Sequence, residues 1–202
     1  MSRVRTRPTR DDTREKLFEA AARVFEEQGI GGASIETIAA AAGFTRGAFY
    51  SNFKSKDELI IAMLEDHVDR SIRRHLDLLA EHDNIDDFLN ALKSMDRNRQ
   101  DPLGRAPLLH MEMILFVARA EKRRPELAQR LRARRKLITD IVDTSLKKEG
   151  RSGNPAWTGA ILLALEDGFR LHRLIDPETT PADSFLRAIG DLRRALGVIA
   201  TT

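Results

Sequence analysis

The sequence predicts an all-α fold. Apolar residues recur three and four positions apart along nearly all of the 202 residues, and the period-two alternation that marks strands is almost absent. Glycines and prolines interrupt the pattern where helices would end, which divides the chain into about nine of them. With 42% apolar and 32% charged residues the composition is that of an ordinary globular protein. No apolar run approaches the roughly 18 residues of a membrane span, so no membrane partner is expected. The first ten residues are basic, but Asp11 and Asp12 follow where a secretory signal would place its apolar stretch, and a cytoplasmic location is expected. The absence of cysteine removes disulfides, thiolate metal sites and thiol nucleophiles.

From about Asp11 to Gln28, Leu17, Ala20, Ala21, Val24 and Phe25 share one helical stripe. Thr9 or Asp12 is placed to cap its start, and Gly29 to end it with a positive φ. After the loop 29–33, Ser34 can cap a short helix with the apolar edge Ile35, Ile38, Ala39 and Ala42, closed by Gly43. Thr45 can cap a third helix over roughly Arg46 to Phe53. At 100° per residue Phe49 and Phe53 fall together, while Arg46, Gly47, Tyr50 and Ser51 fall on the other side. One face is apolar; the other is aromatic, basic and small.

Two short helices across a tight glycine-containing turn, behind a longer supporting helix, give the plan of a helix-turn-helix module. In such a module the second short helix enters the major groove of DNA. The charge pattern suits that role: Arg3, Arg5, Arg7 and Arg10 have no acid among them, and Thr37 to Ser55 carries Arg46 and Lys54 with none either. A solvated basic tail beside a charge-poor turn is the alternative. Gly47 lets a backbone approach, the Tyr50 hydroxyl can reach a phosphate, and Lys54 and Lys56 stand where they can grip one.

The run "IETIAAAAGFTRGAFYSNFKSKDEL" resembles the DNA-binding signature of the TetR family of bacterial transcriptional repressors, over about residues 10 to 60. The resemblance implies that Ser34 and Thr45 cap helices while contacting phosphates. It implies that Arg46, Gly47, Ser51 and Asn52 face bases or nearby backbone, Tyr50 and Lys54 phosphates, and Lys56 the DNA backbone. Ser51 and Asn52 stand where the family often has a larger aromatic residue or a histidine. The implied division is residues 1–54 as N-terminal arm and DNA-binding domain and 55–202 as a helical ligand-binding and dimerisation domain.

Ser55 to Glu58 reads as a capping box opening a long helix to about Glu81, with Ile60, Leu64, Val68, Ile72, Leu76 and Leu79 as its buried stripe. A helix follows from Asp86 to Gln100 with Phe88, Leu89, Leu92 and Met95, ended by the segment 101–104. The next spans Ala106 to Ala120, the most apolar segment. Another runs from Pro125 to about Glu149, whose basic run 130–136 lacks small or aromatic readers and is taken as a solvated face. Asn154 and Pro155 start a helix to Ile175, and a last one covers Ala182 to Leu196.

In the resembled family this second region binds a small molecule and forms a homodimer. Small residues on the last two helices, Gly159, Ala160, Ala164, Gly168, Ala188 and Gly190, permit close pairing with a symmetry mate, with burial inside the monomer as the alternative. A two-fold dimer sets two recognition helices about 34 Å apart, so the expected DNA partner is a double-stranded operator with an inverted repeat. Pocket candidates are polar groups interrupting apolar helices, His67, His110, Glu166 and His172, with Met63, Met113, Phe116, Trp157 and Phe169 as walls. The expected behaviour is that of a repressor released when a small molecule displaces the long helix opened by Ser55.

Enzyme motifs are missing: no Walker loop, no dinucleotide fingerprint, no Gly-x-Ser-x-Gly turn, and no cysteine pair to complete the zinc-deaminase-like His110-x-Glu112. No cofactor, resident metal or catalytic residue is expected. A ligand-independent architectural DNA binder is the rival reading. A metal-responsive regulator using His67 and His75 is a further one.

Overall fold

The computed structural model describes residues 9–94, 102–122 and 124–199. Among these residues the chain is helical throughout: α1 (Arg10–Gly32), α2 (Ile35–Ala41), α3 (Arg46–Tyr50), α4 (Lys56–Glu81), α5 (Ile85–Ser94), α6 (Pro102–Arg105), α7 (Pro107–Arg119), α8 (Arg124–Lys148), α9 (Pro155–Ile175) and α10 (Ser184–Ile199). The all-α expectation holds. The helix not foreseen is α6, in a stretch read as a terminator. Its Pro102 has a fixed φ suited to a first helical position, and Pro102 and Leu103 are both buried. Arg3, Arg5, Arg7 and Met95 lie outside the described residues.

Local chemistry sets the ends of α1. The Thr9 hydroxyl accepts from the Asp12 N–H at 3.1 Å and the Asp12 carboxylate accepts from the Thr9 N–H at 3.0 Å, so each satisfies an amide that the helix leaves open. At the other end Gly29 has φ 71°, which breaks the regular helix where a glycine was expected to break it, and one further turn follows.

The described residues up to His67, with those from Pro102 to Leu127, form one compact unit. Its core joins Leu17 and Phe25 of α1, Ile38 of α2, Phe49 of α3, Ile60 of α4 and Met113 of α7. By contacts the division falls inside α4 and groups α6 and α7 with the first unit. Leu59, Ile60 and Leu64 of α4 and Leu109, Met113 and Val117 of α7 share this core with α1 to α3. Only one side of α7 is buried; Leu109, Met113 and Val117 face the core while Leu108 and Leu115 are exposed.

The start of α4 departs from the expected box by one residue. The Ser55 hydroxyl accepts from the Glu58 N–H at 3.1 Å, but the Glu58 carboxylate reaches past Ser55 to the Lys54 N–H at 2.7 Å. Its expected stripe also fails at one point, since Leu76 is exposed and Leu78 is buried. Strict four-residue spacing advances 400°, so each step drifts by about 40° and Leu76 ends roughly 160° around from Ile60.

The second unit holds the described residues from Val68 to Ser94 and from Ala128 onward. Leu78, Phe88, Leu89, Leu92 and Leu186 form its apolar cluster, tying α5 and α10 to the end of α4. Elsewhere α8 meets α9 so closely that a Cβ built on Gly159 would lie 3.1 Å from the Thr139 hydroxyl oxygen and 3.3 Å from its backbone nitrogen. Gly159 is thus the close-packing residue its type suggested, and it packs within the chain, against Thr139.

Hydrogen bonding to Thr9 holds the Asp12 carboxyl below its ordinary value of 3.8. A depressed folded pKa means that the stability from ionised Asp12 is present above the unfolded value and is lost as pH falls through the folded one. The melting temperature of Asp12→Asn should therefore lie below wild type at pH 7, and the gap should close as the buffer is taken below pH 3.8.

Candidate nucleic-acid interface

Helix α3 has five residues, too few to persist alone in water. It is held by its caps and its aromatic underside. The Thr45 hydroxyl accepts from the Ala48 N–H at 3.2 Å, and across the turn the Ser34 hydroxyl does the same for Thr37 at 3.0 Å. Gly43, with φ 74°, makes the turn between the two helices. Beneath, Phe49 is 0% and Phe53 1% exposed. The Phe53 ring lies 5.8 Å from those of both Phe18 and Phe49. Burying two phenylalanines contributes several kcal/mol, on the order of 1.5 to 3 each.

With that side fixed, the other is presented outward. Ser34, Thr45, Arg46, Gly47, Tyr50, Ser51 and Lys54 are all exposed and lie on the module's two short helices and the turns beside them. Arg46 stacks over the Tyr50 ring, its guanidinium carbon 5.4 Å from the centroid, and pairs with Glu36 at 2.9 Å. The hydrogen bond to Tyr50 and the nearby carboxylate push its already high pKa upward, so Arg46 is a permanent cation. The Ser51 hydroxyl donates to the Gly47 carbonyl at 3.0 Å and remains at the surface.

Two of the nine expected contact residues are placed differently. Lys56 is half-buried, and its ammonium donates to the carbonyls of Ile30 and Ala33 at 2.6 and 2.8 Å. Ile30 lies in the last turn of α1 and Ala33 just beyond it, so Lys56 latches the first residue of α4 onto the end of α1. Asn52 is also half-buried; its Nδ2 donates to the Ala48 carbonyl at 2.9 Å and its Oδ1 is buried without a partner. The side chain thus turns back onto the end of α3.

Sequence reasoning missed Glu36, which sits ten residues before Arg46 and reaches it only across the turn. It also missed Arg14 of α1, whose guanidinium stacks on Phe53 at 4.8 Å and Phe18 at 5.6 Å. Arg14 lines a cleft of about 600 Å³ with Phe53, Lys54, Ser55, Glu58 and Glu65. Helical periodicity alone shows neither pairing.

The nine pocket candidates are divided. Met63, His67, His110, Met113 and Phe116 belong to the first unit, where Met63, His110 and Met113 are buried and the rings of His67 and His110 lie 4.3 Å apart. Trp157, Glu166, Phe169 and His172 belong to the second. None of the nine lines the 600 Å³ cleft. Trp157 is 68% exposed and His172 is exposed too, so neither forms a wall of its unit's core. Glu166 is held by Arg134 at 2.6 Å and Arg170 at 3.1 Å, an intramolecular pairing that accounts for its polarity. The basic run of α8 is partly consumed in the same way, with Arg130 near Asp69 and Lys136 on Asp140. Of the metal candidates, His75 has its Nδ1 2.6 Å from the Ser71 carbonyl.

On α9, Trp157, Ile161, Ala164, Leu171 and Ile175 are exposed and Gly168 is half-buried. Their spacing of four and three keeps all six within an arc of about 80°, the pattern of a helix seam with a partner.

Two family models match the chain: "Bacterial regulatory proteins, tetR family" over residues 17–63, and "Tetracyclin repressor-like, C-terminal domain" over residues 97–195. Among curated proteins it is 34% identical over 100 residues to the HTH-type transcriptional regulator TtgR of Pseudomonas putida, covering 50% of this chain and 40% of that one. It is 31% identical over 134 residues to the uncharacterized HTH-type transcriptional regulator YfiR of Bacillus subtilis (strain 168), covering 64% and 63%. The chain thus spans about two fifths of the length of the first of these relatives. Among solved structures, the transcriptional regulator FadR from Bacillus subtilis in complex with stearoyl-CoA superposes with a TM-score of 0.65 at 16% identity, over 88% of this chain and 95% of that one. No helix of the described residues is long and apolar enough to cross a membrane.

A Cβ at Gly47 would meet only the Thr45 hydroxyl, at an ordinary 3.7 Å. Gly47→Ala should therefore leave the fold intact and raise stability by about 0.5 to 1 kcal/mol, read by chemical denaturation. A drop in duplex affinity at that unchanged fold, measured by anisotropy, would mark this face as one that another backbone approaches closely.

Proposed function

The chain belongs to the TetR family of bacterial regulatory proteins, and from that premise we propose that it is a homodimeric transcriptional repressor that leaves an inverted-repeat operator when a small molecule binds. One observation carries the reading. The exposed side of α3 and its flanks gathers Thr45, Arg46, Gly47, Tyr50, Ser51 and Lys54, with no acid of its own, on a helix whose other side is fully buried. A rigid, small, cationic ridge of this kind suits the major groove.

In this reading Arg46 reads a base edge, Tyr50 and Lys54 hold phosphates, and Ser34 and Thr45 present hydroxyls to the backbone beside the helix starts. The Lys56 latch gives α4 a grip on the module, since any movement of the helix start is passed to the end of α1. A ligand that favours a shifted α4 then disfavours operator binding, by a coupling of about 1 to 3 kcal/mol that acts in both directions. The FadR structure with stearoyl-CoA supports the idea that this fold admits a ligand of substantial size. The α9 seam supports a dimer, because isolated monomers rarely leave so regular an apolar stripe uncovered.

In vitro selection followed by footprinting is expected to yield an inverted repeat with half-sites one helical turn apart, about 34 Å. Arg46→Ala should lower affinity about 5- to 150-fold and relax preference at one position of each half-site. A ligand found by thermal shift should weaken operator binding; one that binds tightly and leaves that affinity unchanged would remove the release mechanism. Ile161→Lys should convert the dimer to monomer in sedimentation experiments and cost operator affinity with it. A dimer unaffected by a charge in the seam would place the interface elsewhere.

A further inference from the structure

Arg46 does not face outward unaccompanied. Its Nη1 lies 2.9 Å from a Glu36 carboxylate oxygen, and the two side chains keep 63% and 56% of their surface exposed. Its Nη2 lies 3.5 Å from the Tyr50 hydroxyl. Glu36 is the sole acid between Ser34 and Lys56, and it stands on the first turn of α2.

That carboxylate has two effects on a duplex. It adds repulsion toward phosphate whatever the sequence, since its charge has the sign of the backbone. It also occupies one edge of the Arg46 guanidinium, which has five N–H donors in a fixed plane. With one edge on Glu36 and the ring of Tyr50 beneath, the remaining donors are directed rather than free to follow any phosphate oxygen. Guanine offers paired acceptors, O6 and N7, at a fixed spacing in the major groove; a phosphate offers acceptors that any mobile cation can find.

Resting on the reading of α3 as a base-reading helix, we propose that Glu36 is a specificity-determining residue: it cancels the charge of Arg46 toward phosphate in general and orients the guanidinium, so that Arg46 strengthens binding only where a base edge offers it two acceptors. Glu36 acts through Arg46 and is a positioning residue.

The test uses the full chain, wild type and Glu36→Gln, in anisotropy titrations at several salt concentrations. Two duplexes of equal length serve as probes: the one enriched by in vitro selection with wild-type protein, and a shuffled sequence of the same composition. Glu36→Gln is expected to bind the shuffled duplex about tenfold tighter, with a salt slope steeper by about one, and to gain little on the selected duplex. The ratio of the two dissociation constants therefore falls about tenfold. In an Arg46→Ala background the same change should leave the ratio as it was. Equal tightening on both duplexes overturns the proposal, and so does an unchanged ratio or the same fall in the ratio without Arg46. Failure of the wild type to enrich any duplex is a different result, which overturns the reading of α3 itself and the inference with it.

Discussion

Everything presented by the first unit depends on the burial of Phe49 and Phe53. Five residues of helix gain too few hydrogen bonds to offset the cost of ordering them, so α3 exists because its aromatic underside is locked against Phe18 and the core behind it. Caps from Thr45 and Ser34 refine the ends, but they act on a helix already pinned. The same locking fixes the rotation of the helix about its axis. Rotation decides which residues face out, and the proposed reading of bases rests on Arg46, Tyr50 and Lys54 being among them.

Much of this was legible in the sequence because it is local. A stripe at helical spacing, a hydroxyl before a helix and a glycine after it each involve residues within about four positions, and the structure has the Thr9 box, the Gly29 break and the Phe49–Phe53 face. The contacts that the sequence did not show are those for which local pattern has no information. Lys56 looks like any cation near a basic turn until the carbonyls of Ile30 and Ala33, over twenty positions earlier, come within reach of it. Glu166 looks like a polar interruption in an apolar helix until Arg134 is found beside it. Leu76 failed for a geometric reason, the drift of four-residue spacing around a helix of 3.6 residues per turn.

The candidate site divides along the same line. Seven of the nine residues assigned to the DNA face are exposed together, because all belong to one short supersecondary unit whose geometry follows from its turn. Lys56 and Asn52 have their donors committed inside the protein. The pocket candidates came from single residues picked for polarity or size, without any rule that brings distant helices together, and the two units divide them.

Gly159 has a consequence for the surface on the opposite side of its helix. It lies about 200° around α9 from Trp157, and through it the backbone of α9 rests directly on Thr139. A residue with no side chain thus serves as a keyway: α9 cannot roll against α8 without opening that close approach. The bearing of the outer ridge from Trp157 to Ile175 is therefore set from behind, by an absence of atoms, before any second molecule arrives to meet it.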